Sequence, residues 1–379
     1  QKSKIRNPNE YNATMRIDWR QIFLWSARAI IVWYLMRLPS VPRPLIVLGE
    51  PQTVKTLHPT TCVHTRMENE VEEWKIQRTL IMVREMGAPF IVEYFPWAYY
   101  EGAEGNYDFT HPDYVIDHAR NQGVTVIARL GMVPQWAREK NTTDTYLDEK
   151  HYADFAKYVG KFVERYRGKI KYVIIWNEPN LSLEWGYRQV DPRGYVAMLR
   201  EAYRAAKAAN PEIQVLAGAL APTLEPDSSD LAMNDLIYLQ KLYDAGFANY
   251  YDILSVHSYG LSFPPDDPPA LDALNFRRVE LAREIMITNG DAKKKMMITE
   301  AGWNDSPRWT RAVKPAARAE YTVQGYEWAE KNWDYVMATC IWAFRFPAPL
   351  YTYGDYYAFV TPDFTPRVVY EAVKRWSGN

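Results

Sequence analysis

The sequence predicts an α/β fold, a (β/α)8 TIM barrel preceded by an N-terminal hydrophobic helix. From about residue 57 onward, short apolar runs alternate with helical stretches of mixed charge, which is the pattern of βα units around a parallel sheet. Eight such units fit into residues 57–379, a length typical of this barrel. The hydrophobic content of 47% is high enough to fill a large core.

Each predicted strand is a short apolar run, and most of the runs are followed by a predicted helix. The strands in order are the run that contains Cys62 and His64, then PFIVEYFPW, VTVIARL, YVIIWNEP, IQVLAGAL, DILSVHSYG, KMMITEAG and VMATCIWAF. The predicted helices cover residues 70–86, 151–166, 192–209, 231–245, 272–287, 316–331 and 366–376. Because active sites of such barrels lie at the carboxyl ends of the strands, the residues that end these runs are the functional candidates.

Residues 1–38 form a basic segment and a hydrophobic helix, and residues 39–56, which contain four prolines, are predicted to be a linker to the barrel at 57–379. The predicted helix, Ile22–Leu38, is apolar on nearly every side, so it would be buried in protein or lipid. Basic residues before it predict a membrane anchor with the barrel extracytoplasmic. The alternative is a helix packed against the barrel of a secreted or soluble protein. Arg28, which would cost about 2.5–3.5 kcal/mol in lipid, would also suit docking onto another membrane subunit.

The charge balance and the cysteine content exclude several classes of function. Lys and Arg number 45 against 46 Asp and Glu, which argues against a nucleic-acid partner. Two cysteines cannot build a disulfide framework or a four-thiolate zinc site. Cys62 and Cys340, on the first and last strands, are expected to be two buried thiols, with a single bridge as the alternative. No H-E-x-x-H pair, glycine-rich phosphate loop or G-x-S-x-G elbow occurs, so neither a metal nor a cofactor is predicted.

Two of the predicted strands end in a glutamate. The fourth ends as VIIWNEPN, with Asn177 and Glu178, and the seventh ends as MMITEAGW, with Glu300. In a closed barrel these two ends face each other across the mouth. Two facing carboxylates are costly to desolvate unless a reaction uses both of them. Retaining glycoside hydrolysis uses such a pair, with one carboxyl group as acid and then base and the other as nucleophile.

The pair resembles that of clan A glycoside hydrolases, a group of retaining barrels that includes cellulases, mannanases and xylosidases. The resemblance is carried by Trp-Asn-Glu-Pro at the end of strand four and Thr-Glu at the end of strand seven, and it extends over residues 57–379. It implies that Glu178 is the acid/base, that Glu300 is the nucleophile and that Asn177 bonds to the sugar 2-hydroxyl. The implied activity is cleavage of a β-linked glycoside or polysaccharide with net retention, and the implied partner is a carbohydrate substrate.

Further residues near the strand ends are candidate substrate contacts, since aromatic rings present apolar faces to sugars. His257 and Tyr259, in SVHSYG, match the family's His and Tyr near the nucleophile, and Trp342 matches a tryptophan beneath the sugar. His64, Trp97 and Trp136 lie at or just after the ends of the first three strands. These three either line the glycone pocket or pack beneath loops.

One departure from the family concerns the second strand, where many members carry an arginine that braces the nucleophile. The stretch IVEYFPW has Glu93 instead. Glu93 either joins another network or points away from the cleft. This departure and the N-terminal helix motivate an alternative hypothesis, a membrane-anchored barrel subunit of a larger complex with vestigial or secondary hydrolase activity.

Overall fold

The computed structural model describes residue 20, residues 23–28 and residues 46–378, and the chain divides into two compact units, Gln1–Leu45 and Ile46–Asn379. Residues 23–28 are helical, and Phe23, Leu24 and Trp25 are each more than half exposed. The rest of the predicted hydrophobic helix and residues 39–45 of the predicted linker lie outside the described residues. Within the described part of the chain, no helix has both the length and the apolar character required to cross a membrane.

The second unit is the predicted (β/α)8 barrel, which the structure confirms. Eight parallel strands pair in chain order, and β8 closes the barrel against β1. The strands are β1 Thr61–His64, β2 Phe90–Pro96, β3 Thr125–Gly131, β4 Tyr172–Ile175, β5 Gln214–Ala217, β6 Ile253–Tyr259, β7 Lys295–Gly302 and β8 Val336–Ile341. The helices that follow them are α1 Glu73–Glu85, α2 Thr110–Asn121, α3 Tyr152–Arg165, α4 Pro192–Ala209, α5 Asp235–Asp244, α6 Val279–Thr288, α7 Pro315–Asn332 and α8 Val368–Trp376.

The predicted and observed helix bounds agree to different degrees. Helix α4 has the predicted bounds, because Asp191 accepts a hydrogen bond from the Arg193 backbone N–H and Pro192 occupies the first turn. The helix predicted over residues 272–287 begins only at Val279, since the proline-containing stretch before it is held as a loop by Asn275. Helix α2 was not predicted.

The barrel interior is filled by side chains from all eight strands. This layer consists of Cys62, Val92, Ile127, Ile174, Leu216, Ile253, Met297, Ala338 and Cys340. Successive side chains of a strand alternate between the two faces of the sheet. A residue two positions after a member of this layer therefore also points into the barrel, but closer to its mouth. A larger apolar cluster includes side chains from the strands and from the surrounding helices.

Cys62 and Cys340 form a disulfide, which corrects the expectation of two buried thiols. The two residues are direct partners in the parallel pairing of β1 with β8, and both are fully buried in the interior layer. The bridge links residues 278 positions apart at the seam where the barrel closes. The sequence could not settle this point, because a slip of one residue in register would place the two side chains on opposite faces of the sheet.

Candidate active site

A cleft of about 820 Å³ opens at the carboxyl ends of the strands. Its walls include Glu178 and Glu300, together with Asn177, Tyr259 and Trp342. Five of the nine residues predicted for the site therefore line one cavity.

Glu178 and Glu300 approach each other in this cleft. A carboxylate oxygen from each and a ring nitrogen of His257 all lie within 4.8 Å of one another. The side chains are 16% and 9% exposed, so a substrate can reach both. Retaining glycosidases keep their two carboxyl groups about 5–5.5 Å apart, whereas inverting enzymes leave about 6.5–9.5 Å for a water molecule. The short approach seen here agrees with the retaining spacing.

Glu178 is placed by an unusual backbone turn after β4. Trp176 and Glu178 have φ values of +76° and +40°, a region that is costly for residues other than glycine. The turn is held by the Trp176 indole N–H, which donates to the Glu184 carbonyl at 2.8 Å, and by the Glu178 backbone N–H, which donates to the Ala219 carbonyl at 2.9 Å. Gly218 lies so close that a Cβ there would come within 2.8 Å of the Ile175 carbonyl. Packing against the end of β5 thus fixes this turn.

Glu300 is held as a carboxylate by donors from two other strands. Arg129 Nη1 donates to Oε1 at 2.6 Å, and Tyr259 Oη donates to Oε2 at 2.7 Å. Burial opposes ionisation of Glu300, but the charges of His257 and Arg129 outweigh it and lower its pKa to about 2. Glu300 is therefore ionised at neutral pH, which is the state that a carboxylate nucleophile requires.

Arg129, on β3, was missed by the sequence reasoning. Its Nη1 also donates to Asn177 Oδ1 at 2.8 Å, and its guanidinium lies 4.9 Å from the centroid of the Tyr94 ring. Burial works against the charge, but the adjacent Glu300 outweighs it and raises the pKa of Arg129 above its ordinary value. The signal that could have found it is alternation, because Arg129 lies two positions after Ile127 of the interior layer. An arginine does brace Glu300, but it comes from the third strand.

His257 lies between the two glutamates. It is the direct register partner of Glu300 on the neighbouring strand, next to an irregularity in the pairing of β6 with β7. Its Nδ1 lies 2.7 Å from Glu178 Oε1 and 3.8 Å from Glu300 Oε2. Burial alone would lower the pKa of His257, but the charge of Glu300 and the hydrogen bond with Glu178 outweigh it and raise the pKa. His257 and Glu178 thus form a pair that can share a proton.

His64 lies beside Glu300, and Trp342 lines the same cleft as Glu300. His64 is fully buried, and its Nε2 lies 3.6 Å from Glu300 Oε1. Burial and the charge of Arg129 lower the pKa of His64 well below its ordinary value, so it is neutral at neutral pH. His64 therefore lies against Glu300 and, having no exposed surface, cannot reach a sugar, which corrects its assignment as a substrate contact. Trp342 lines the cleft, with the Arg66 guanidinium 5.1 Å from its ring centroid.

Trp97 and Trp136 pack beneath a loop. Trp97 is fully buried, and its indole N–H donates to Glu101 Oε2 at 2.6 Å. The Trp136 indole N–H donates to the Glu101 carbonyl at 2.8 Å, and the two indole rings meet edge to face with centroids 5.4 Å apart. A fully buried ring cannot contact a substrate, so the prediction that Trp97 binds sugar is wrong. The half-buried Trp136 shares this packing.

Glu93 belongs to a separate network at the end of β1. Its carboxylate accepts hydrogen bonds from Thr65 Oγ1 at 2.5 Å and from the Met67 backbone N–H at 3.0 Å. Burial, reinforced by the charge of Glu68, raises the pKa of Glu93 to about 8. Glu93 was expected either to join another network or to point away from the cleft, and the structure shows that it joins a buried hydrogen-bond network.

One group of the described residues has the donor types and spacing of a cation site, and it consists of Glu178, His257 and Glu300. Both carboxylate oxygens of Glu300 already accept hydrogen bonds, from Arg129 and Tyr259. The guanidinium of Arg129 supplies a positive charge directly beside that carboxylate. The negative charge of Glu300 is therefore already opposed by a cation of the protein itself.

Comparison with known proteins gives a family match and a set of structural neighbours. A model of glycosyl hydrolase family 10 matches residues 59–217, which include Asn177 and Glu178. No curated protein matches the sequence. The solved structures below share less than 25% of their sequence with this chain, so their similarity shows the fold alone.

A family 39 glycoside hydrolase from the gut symbiont Bacteroides cellulosilyticus WH2 is 19% identical, with a TM-score of 0.69 over 86% of this chain; the chain spans 65% of that protein, less than two thirds of its length. A GH39 β-xylosidase from Caulobacter crescentus is 18% identical, with a TM-score of 0.62 over 87% of this chain and 72% of the other. The GH5_18 protein from Streptomyces cattleya, in complex with GlcNAc, is 14% identical, with a TM-score of 0.63 over 87% and 81% of the two chains. The chain is thus similar to glycosyl hydrolase family 10 over residues 59–217, and it shares the fold of these neighbours, a closed parallel barrel.

Proposed function

We propose that the protein is a retaining glycoside hydrolase that cleaves a β-linked glycoside or polysaccharide, with Glu178 as acid/base and Glu300 as nucleophile. The observation that carries the proposal is the approach of the two carboxylates within 4.8 Å in one open cleft, where they have different partners. Glu300 is fixed by a cation and a hydroxyl, as suits a nucleophile. Glu178 is paired with a histidine, as suits a residue that gains and loses a proton.

In the first step the Glu300 carboxylate attacks the anomeric carbon while Glu178 protonates the leaving oxygen, and the glycosidic C–O bond breaks. Tyr259 remains a hydrogen-bond donor throughout, because burial and the charge of Glu300 raise its pKa well above the ordinary value. Arg129 and Tyr259 hold the attacking carboxylate in one orientation, which lowers the entropic cost of reaching the transition state.

In the second step Glu178 acts as a base. It takes a proton from a water molecule, the water oxygen bonds to the anomeric carbon, and the bond between the sugar and Glu300 breaks. His257, 2.7 Å from Glu178, can share the proton that Glu178 carries before the first step and regains from water in the second. Asn177 and Trp342 are proposed to contact the sugar at its 2-hydroxyl and at its apolar face, since both line the same cleft.

The proposal is tested on residues 46–379, the compact unit that contains the barrel, with a panel of aryl β-glycosides and β-linked polysaccharides. Glu178→Gln and Glu300→Gln should each lower turnover by several orders of magnitude and leave the circular dichroism spectrum unchanged. Glu139→Gln, which removes a carboxylate from an exposed site, is the matched control and should retain activity. NMR of the first-formed product should show the β-anomer. An α-anomer, or full activity in either active-site variant, would remove the assignment.

A further inference from the structure

We propose that the substrate is an acidic β-linked polysaccharide carrying uronic acid units, and that it is bound along a basic loop between β7 and α7. This basic loop, residues 306–314, borders both the catalytic cleft and a second cavity. The inference rests on the proposed function and names the class of substrate for it. Cations of the basic loop, together with Arg367, bind the carboxylates of the polysaccharide.

The basic loop concentrates positive charge in a chain that is otherwise nearly neutral. It contains Arg308, Arg311 and Lys314 and has no aspartate or glutamate, whereas the whole chain has a formal net charge of -1. The three side chains are exposed, and none of them forms an ion pair with another described residue. Unpaired cations on one short loop create a local positive potential, which attracts an anionic polymer.

The second cavity has a volume of about 770 Å³ and is also positively charged. Lys314, Arg318 and Arg367 line it, and Asp305 is the one carboxylate of its described lining. Arg318 pairs with Asp305 at 3.3 Å and donates to the Ala358 carbonyl at 2.9 Å, so the charge of Asp305 is already opposed. The charges of Lys314 and Arg367 therefore remain for an anionic ligand.

Arg367 is partly buried and has no counter-ion in the described part of the chain. Its Nε is buried without a hydrogen-bond partner, and its guanidinium lies 6.0 Å from the centroid of the Tyr356 ring, which lines the same cavity. A guanidinium that has lost part of its hydration gains from an anionic acceptor. Its planar shape suits a carboxylate, which it can bind through two parallel hydrogen bonds.

Trp309 connects the second cavity with the catalytic cleft, because it lines both of them. Its ring stacks on Tyr353 with centroids 5.1 Å apart, and it meets Tyr357 edge to face at 6.3 Å. The Tyr357 ring lies 5.6 Å from that of Tyr259, whose hydroxyl donates to Glu300. A row of aromatic rings thus leads from the proposed nucleophile to the second cavity, and such rings present apolar faces to sugars.

The size of the two adjoining cavities favours an extended chain. They measure about 820 and 770 Å³, and a pocket for one small molecule measures about 300–1,000 Å³. Cations lie along both, with Arg311 in the cleft and Lys314 and Arg367 in the second cavity. This arrangement fits a polymer with acidic groups on several of its sugars. A flat anionic membrane surface would be attracted to the exposed cations but would not enter either cavity.

The test measures binding without turnover. Equilibrium binding to Glu300→Gln is determined for glucuronoxylan, polymannuronate and hyaluronan, each beside its carboxyl-reduced form, in which the uronic acids have become neutral sugars. At least one acidic polymer should bind about tenfold more tightly than its reduced form at low salt. This preference should decrease as sodium chloride is added, because salt screens exposed charges. If none of the three acidic polymers binds better than its reduced form, the inference is wrong.

Charge variants of Glu300→Gln show where the preference arises. One variant replaces three cations of the two cavities: Arg311→Gln, Lys314→Gln and Arg367→Gln. The matched control removes the same charge from exposed cations at the opposite end of the barrel: Lys293→Gln, Lys331→Gln and Arg375→Gln. The first variant should lose the preference for the acidic polymer, and the control should keep it, with unchanged circular dichroism spectra in both. An equal loss in both variants would show a general effect of net charge and would overturn the inference.

The failure of this inference can be told apart from the failure of the proposed function. Full activity of Glu300→Gln would refute the proposed function, while the comparison of acidic and reduced polymers would still test the basic loop. Retaining hydrolysis of neutral polysaccharides alone would leave the proposed function standing and refute the acidic substrate. Binding of the wild type to phosphatidylglycerol vesicles, without a preference for any acidic polymer, would overturn the inference in favour of a membrane surface.

Discussion

Arg129 Nη1 donates a hydrogen bond of 2.6 Å to Glu300 Oε1 and so joins β3 to β7 across the mouth of the barrel. The same nitrogen donates to Asn177 at 2.8 Å. One buried cation therefore neutralises the proposed nucleophile and orients the residue proposed to bind the 2-hydroxyl. The Arg129–Glu300 and Arg129–Asn177 contacts explain how the site manages without an arginine on the second strand.

Loss of this cation should strongly impair the chemical step. Arg129→Gln leaves the buried Glu300 without its charge partner, and truncation of such a pair costs about 2–5 kcal/mol, so kcat/KM should fall by a factor of about 30 to 5,000. The acidic limb of the profile of kcat/KM against pH should move to higher pH, because the pKa of Glu300 rises when Arg129 no longer lowers it. Arg129→Lys keeps the charge but lacks the planar guanidinium, so its kcat/KM should lie between the values of the wild type and Arg129→Gln. Wild-type kinetics in Arg129→Gln would contradict the bracing role.

The pH dependence of stability should report on His257. Its folded-state pKa is raised, so the imidazolium stabilises the fold fully below pH 6.5, and this contribution is lost as the pH rises through the folded pKa. The pKa of Glu300 is lowered to about 2, so its contribution is present above pH 4.5 and is lost only as the pH falls toward 2. The difference in free energy of unfolding between wild type and His257→Asn should therefore shrink as the pH increases above 6.5. Urea denaturation between pH 5 and pH 9 measures this difference, and an increase with pH would contradict it.

Two tryptophans should respond differently to substitution. Trp342→Ala removes a ring from the cleft wall and should raise KM about tenfold, with little change in the melting temperature. Trp97→Phe removes the indole donor to Glu101 from a fully buried site and should lower the melting temperature while KM stays the same. Steady-state kinetics and thermal unfolding of the two variants check this contrast. A raised KM in Trp97→Phe would mean that the ring beneath the loop also controls substrate binding.

The disulfide should contribute to stability and not to catalysis. Cys62 and Cys340 join the first and last strands, and removal of a native disulfide typically costs about 2–5 kcal/mol. The double variant Cys62→Ala, Cys340→Ala should therefore unfold at lower urea concentration with kcat unchanged, because the bridge lies in the interior layer and is not part of the cleft lining. Equal midpoints for the variant and the wild type would show that the bridge does not stabilise the fold.

The sequence alone determined the class of fold and the pair of glutamates. Apolar runs and charged helices recur at the spacing of βα units, and each of the two glutamates follows directly on an apolar run, so both features are local in the chain. The strand order can be predicted from the same pattern, because consecutive parallel strands joined by helices pair in chain order and close into a barrel. His257 and Tyr259 lie in one run that ends at the mouth, and they were singled out because they match the family's His and Tyr.

The tertiary structure alone decided which side chains act on those glutamates. Arg129 and Glu300 are 171 positions apart, and whether a cation on one strand reaches a carboxylate on another depends on strand stagger and on which face each side chain takes. The same dependence on register decided that Cys62 meets Cys340 and that Trp97 turns beneath a loop. Contacts of this kind are properties of the closed barrel, since no local stretch of sequence encodes the distance between two strands that only the folded sheet brings together.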